Sequence, residues 1–144
     1  MEKIIVQIGW CDNYCAASDE ILGCVACSDT IEGIKKEYRS ALDFHIKGML
    51  EDGDELPEKL KNEYELVFEL DTSAMLHSLD GIVTRKAIAK VTGINEALLT
   101  HYANGFRKPR PVQRQRIIDG IHQIGRELTL IGSVSYTHLR AHET

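Results

Sequence analysis

Long apolar runs are missing from this chain. No stretch of its 144 residues approaches the roughly 20 needed to cross a bilayer as a helix. The opening MEKIIVQIGW lacks a basic region followed by a long apolar core, so no secretory signal is read there and a cytoplasmic location is expected. Nucleophile arrangements of the Ser/His/Asp or Cys/His kind are missing too, as is a glycine-rich loop able to cradle phosphates. Clustered strand carboxylates, which a metal-dependent nuclease needs, are not supplied by Glu65 and Glu69 alone. No catalytic residue, metal or cofactor is therefore assigned, and the chain is not expected to be an enzyme. His45 reads as a core-edge histidine, and Asp52, Asp54 and Glu55 read as solvated loop charge.

Cysteine is scarce and confined to one short region: Cys11, Cys15, Cys24 and Cys27. Their C-x3-C and C-x2-C spacing invites a four-thiolate zinc site. Neither pair encloses a Pro or Gly to form a metal knuckle, and strand geometry through GCVACS would turn Cys24 and Cys27 to opposite faces. Buried free thiols are the expected state, since an unpaired cysteine behaves as a small hydrophobe.

What is present is a sorting of charge. Residues 1–83 hold 7 basic and 18 acidic side chains, net -11. Residues 84–116 hold 8 basic and one acidic, net +7, and the remainder is close to neutral. A merely solvated surface has no need to separate its signs so far. The pattern predicts one half that meets a polyanion and another with a different partner.

The acidic half predicts β-β-β-α-β. Ile4, Val6, Ile8 and Trp10 alternate with Ile5, Gln7 and Gly9, which reads as a strand. Asp12-Asn13 centres a turn, and YCAASDE and LGCVACSD give two more short strands. The period then lengthens: Ile31, Ile34, Tyr38, Ala41, Leu42, His45 and Met49 form one helical stripe. Asp29 or Thr30 caps this helix, Glu32 suits the reciprocal capping role, and Gly53 ends it. In YELVFEL, Tyr64, Leu66, Phe68 and Leu70 share a face opposite Glu65, Val67 and Glu69.

The basic half predicts four helices. The first covers 71–79, capped by Asp71 or Thr72. The second is TRKAIAKVTG with Thr84 as its cap. The third is INEALLTHYANG with Asn95 as its cap and Leu98, Leu99 and Tyr102 inward. The stiff basic link FRKPRP leads to a fourth helix with a stripe of Val112, Ile117, Ile121, Ile124 and Leu128. Ala89 is small where two helices would cross, and Gly93, four residues on, suits a left-handed turn. Ile94 plugs that turn, and Leu99 anchors the following helix. This is a helix-turn-helix pattern, and it coincides with the positive charge. The third helix then turns Glu96, Ala97, Thr100, His101 and Asn104 outward as candidates for base contact. Arg85, Lys86, Arg107, Lys108 and Arg110 are the candidates for gripping phosphate.

Taken together, GCVACSDTIEGIKKEYRSALDFHIKGMLEDGDELP and the segment from LHSLDGIVTRK to IGREL resemble the HicB antitoxins, in the subgroup with a C-terminal helix-turn-helix. The resemblance runs to about Gly132 and rests on order and spacing, most strongly on EDG-x-x-x-P and the basic tail. It implies an α+β chain in three parts. Residues 1–70 would be a truncated ribonuclease H-like domain that binds the toxin, and residues 71–132 an all-α DNA-binding domain. Residues 133–144 would be an artefactual tail, since SVSYTHLRAHET resembles translated sequencing adapter. His138 and His142 are accordingly set aside. The resemblance also implies a HicA-like ribonuclease toxin that cuts messenger RNA, operator double-stranded DNA as a second partner, autorepression, and a homodimer or tetramer. The competing expectation is a stand-alone helix-turn-helix regulator whose sheet domain senses a small ligand.

Overall fold

Alternation makes the first strand. Ile4, Val6 and Ile8 fall on one face of β1 (Glu2–Trp10) and are buried, while Gln7 between them is exposed. The coordinates are a computed structural model and describe residues 1–132. The adapter-like segment 133–144, with His138 and His142, lies outside the described residues.

A tight turn with Asp12 at φ 62° returns the chain as β2 (Tyr14–Ser18). Asp is among the few side chains that tolerate this left-handed backbone. Asp19-Glu20 then leads into β3 (Ile21–Ser28). Ala17 faces Val25 but Ser18 faces Ile21, so Leu22, Gly23 and Cys24 fall between paired positions as a bulge, with Gly23 at φ 85°.

The helix α1 (Ile31–Glu51) is capped by Thr30, whose Oγ1 accepts from the Gly33 amide at 2.9 Å. Glu32 does not take the reciprocal role. With Thr30 as the cap it sits one residue early, and it pairs instead with Lys35 at 3.6 Å. Ile34, Tyr38 and Leu42 are buried, and Ile31, Ala41, His45 and Met49 are half-buried along the expected stripe. A 3₁₀ turn (Glu58–Leu60) precedes β4 (Tyr64–Leu70).

The sheet order is β3-β2-β1-β4. The first three strands pair antiparallel, as short turns allow, and β4 pairs parallel with β1, as the helical crossover allows. The core lies on the α1 side. The opposite face exposes Lys3, Gln7, Ala17, Val25, Cys27, Glu65 and Glu69.

The next helix, α2 (Thr72–Ser78), belongs with the sheet, although the sequence groups it with the basic half. Asp71 caps it, accepting from the Ala74 amide at 2.8 Å, and Ala74 joins the sheet core. Ser73 Oγ donates to Asp71 at 2.7 Å and accepts from the Trp10 amide at 3.2 Å. Glycine at position 9 suits this close approach, because a Cβ there would stand 2.9 Å from Asp71 Oδ2. Trp10 stacks on His77 at 4.2 Å and meets Tyr14 edge-on at 5.0 Å.

Three further helices follow: α3 (Arg85–Thr92), α4 (Glu96–Ala103) and α5 (Pro111–Leu130). The chain is thus α+β, a mixed four-stranded sheet with five α-helices among the described residues. It forms two compact units. One is Met1–Asp80 with His101–Lys108; the other is Gly81–Thr100 with the described residues from Pro109 on. No helix among the described residues is long and apolar enough to cross a membrane.

Candidate nucleic-acid interface

The joint between α3 and α4 is built by short-range hydrogen bonds. Thr84 caps α3, its Oγ1 accepting from the Ala87 amide at 3.0 Å. Gly93 ends α3 at φ 74°, and its amide returns to the Ala89 carbonyl at 2.9 Å. That conformation costs a side chain about 1 kcal/mol or more, which explains a glycine there. Ile94 is buried beyond the turn, and Asn95 Oδ1 accepts from the Ala97 amide at 2.7 Å to start α4. Leu99 is fully buried.

Two locks at this joint were not legible in the sequence. Thr92 Oγ1 donates to the Ile88 carbonyl at 2.7 Å and accepts from the Ile94 amide at 3.2 Å, spanning the turn. Arg116 reaches across from α5 and donates to the Thr92 carbonyl at 2.6 Å, where α3 ends and its carbonyls need donors. Arg116 is thereby held as a structural clamp, and the basic stretch is not wholly devoted to one surface. α5 approaches closely at Gly120, where a Cβ would clash with Thr92 Cγ2.

The candidate residues are disposed as follows. Glu96, Ala97, Thr100 and His101 recur along one face of α4, and Asn104 continues that face just past its end. Glu96, Ala97, His101 and Asn104 are exposed and Thr100 is half-buried. Lys86 is exposed on the first turn of α3, whereas Arg85 beside it is half-buried. Arg107 and Lys108 are exposed on the link after Gly105 and belong to the sheet unit; Arg110 is exposed at the start of α5 in the helical unit. Phe106, also on the link, is 76% exposed and meets His101 edge-on at 6.0 Å. Chemically, exposed ammonium and guanidinium groups suit phosphate oxygens, and an exposed Asn amide suits the edge of adenine.

The α5 stripe is narrower than its sequence suggests. Ile117 is fully buried, and Ile121 and Ile124 are half-buried, but Val112 and Leu128 are 77% and 56% exposed. The approaches to α3 come from the middle of α5, at Arg116 and Gly120.

The sheet unit offers different chemistry. A shallow cleft of about 460 Å³ beside β3 is lined by Val25, Phe44, His45, Met49, Asp52 and Asp54, among others. The cysteines are not uniformly buried as expected. Cys24 faces the core and is buried, Cys15 is half-buried, and Cys11 and Cys27 are exposed. The strand parity that separates Cys24 from Cys27 also puts Cys27 on the outer face. Among the described residues, no three His, Cys, Asp or Glu side chains gather where they would hold a metal ion.

No family model matches the chain. A protein of Haemophilus phage HP1, described as an uncharacterized 14.9 kDa protein in the rep-hol intergenic region, is 27% identical over 108 residues; the match spans 73% of this chain and 80% of that protein.

Proposed function

We propose that this chain is an antitoxin of the HicA/HicB type. Its sheet half neutralises an mRNA-cleaving toxin by direct binding, and its basic half represses the shared operon by binding operator DNA. The observation that carries this reading is the joint of α3 and α4, with left-handed Gly93 and capped helices on both sides, set in the one stretch of net positive charge. A helix-turn-helix needs such a joint, because it lets the second helix enter the major groove while the first braces the backbone. The strand order β3-β2-β1-β4, with β4 parallel to β1, supports a truncated ribonuclease H-like sheet. The surplus of acid in residues 1–83 suits a basic, RNA-binding partner.

In this reading inhibition is occlusion and involves no chemistry by the antitoxin. The α4 face Glu96, Ala97, Thr100, His101 and Asn104 reads bases, while Lys86, Arg107, Lys108 and Arg110 hold phosphates. Half-buried Arg85 contributes less than the sequence suggests. A two-fold dimer would place two reading helices on an inverted repeat, with half-sites about one helical turn apart or a multiple of it.

The decisive experiment is co-expression with the product of the adjoining gene, followed by footprinting of the complex on the upstream DNA. A co-purifying ribonuclease whose cutting is suppressed, together with a protected inverted repeat, is the expected result. Failure to retain any such partner, with the footprint intact, would favour the second reading of a stand-alone regulator. The cleft beside β3 is the feature that favours that alternative, since it offers space for a small ligand. Such a ligand would shift operator affinity with no toxin present.

A further inference from the structure

Two of the four cysteines meet on the face of the sheet that α1 leaves open. β2 and β3 run antiparallel with Cys15 directly opposite Cys27, so their Cβ atoms leave the sheet on the same side. The two sulfurs are 2.6 Å apart, within hydrogen-bonding reach of each other. Directly opposed antiparallel residues have Cα separations within the range that a disulfide spans. Cys27 lies on edge strand β3 and is exposed; Cys15, one strand in, is half-buried. The remaining two are placed differently. Cys24 is buried on the inner face, and Cys11 lies in the turn after β1.

We propose that Cys15 and Cys27 form a thiol oxidation site, which reacts with hydrogen peroxide and closes to an intramolecular cross-strand disulfide. The exposed Cys27 sulfur attacks the peroxide. One oxygen and its hydrogen pass to sulfur, giving a sulfenic acid, and the thiol proton leaves with the other oxygen as water. The Cys15 sulfur then attacks the Cys27 sulfur. The S–O bond breaks, the S–S bond forms, and the hydroxyl leaves with the Cys15 proton as a second water. Two thiols are oxidised by two electrons in all, and one peroxide is reduced to two waters. An external dithiol reverses the bond by exchange.

The division of labour follows from the surroundings. Cys27 is exposed and meets a peroxide first, whereas Cys15, half-buried one strand in, is already in place once its neighbour is oxidised. The hydrogen bond with Cys27 first, and burial second, hold the Cys15 thiol up at about 11. Cys24 is shielded in the core, where burial raises its thiol as well.

The test uses the full chain. It is treated with equimolar hydrogen peroxide, its remaining thiols are alkylated, and its peptides are mapped by mass spectrometry. The expected product carries one Cys15–Cys27 link, two hydrogens lighter than the paired thiols, has Cys11 and Cys24 alkylated, and regains the two hydrogens with dithiothreitol. In Cys15→Ser the link should vanish and Cys27 should be captured as a sulfenic acid by a cyclic dione. Cys11→Ser should form the link in undiminished yield. A dominant link through Cys11, or oxidation of Cys27 to sulfinic acid without any cross-link, would overturn the proposal. So would loss of two hydrogens that persists in Cys15→Ser. The wild-type map decides these points even if a variant folds poorly.

Discussion

The two units of this protein are specified in opposite ways. The sheet unit is held by volume. Twelve buried side chains form its core, among them Ile4, Val6, Ile8, Tyr38 and Leu42. The helical unit has Ile88, Ile94, Leu99 and Ile117 as its buried hydrophobic residues among those described. Its geometry depends more on hydrogen bonds at helix ends: Thr84 fixes where α3 starts, and Thr92, Arg116 and Asn95 fix where it stops and α4 starts. A large core tolerates loss of a surface bond but not loss of a ring. A small unit with short helices is sensitive to its caps, because eight-residue helices are marginal on their own.

Predictions that sharpen this contrast can be ordered by size. Tyr38→Ala removes a fully buried ring from the sheet core and should cost about 3–5 kcal/mol. Denaturant unfolding followed by circular dichroism measures it, and a loss below about 1 kcal/mol would show that the core is not where the sheet unit's stability resides. Gly120→Ala forces a methyl against Thr92 and Val91 and should cost about 1–3 kcal/mol, read as a lower melting temperature. An unchanged melting temperature would mean that α3 and α5 can separate without penalty.

Two further effects, one of charge and one of base reading, rest on the proposed DNA binding. Replacing Lys108 and Arg110 together by Gln should weaken binding to every DNA sequence alike. The slope of log affinity against log salt should fall by about two, one for each phosphate no longer neutralised. Asn104→Ala should instead cost about 1–3 kcal/mol on the operator and leave random DNA nearly unaffected. Equal losses on both DNAs would remove Asn104 from base reading.

The smallest expected effect is that of Tyr38→Phe at neutral pH. The Tyr38 hydroxyl is buried with little beyond the Cys24 thiol beside it, so its removal should change stability by less than about 1 kcal/mol. The difference emerges in alkali. Burial raises the phenol above its ordinary 10.0, so the unfolded chain gives up its proton first. Stability should therefore be full below pH 10 and fall as pH rises beyond it, less steeply in Tyr38→Phe. Tyr14 and Tyr64, also raised by burial, supply part of what slope remains.

Elements with their own repeat were legible in the sequence. The alternation in β1 and β4, the stripe of α1 and the caps Thr84 and Asn95 depend on neighbours within a few residues and are found where local chemistry points; for α1 and α2 the sequence offered two caps each, and Thr30 and Asp71 take the role. Periodicity was less reliable at the ends of α5. Val112 and Leu128 fit the stripe but are exposed, because a stripe shows which side a residue takes and not how far the partner surface extends. The α4 candidates were readable as a face. That Thr100 and Arg85 are half-buried was not.

By itself, then, the sequence determined the elements, their caps, the left-handed joint at Gly93 and the separation of charge, all of which are properties of short windows. Only the tertiary structure decided that β4 lies beside β1, that α2 packs on the sheet, that Arg116 closes the end of α3, and that Cys15 faces Cys27. Each of those joins residues far apart in the chain or across a register, and a register is set by how two elements bury their apolar faces together. No local pattern carries that information, because it belongs to the pair.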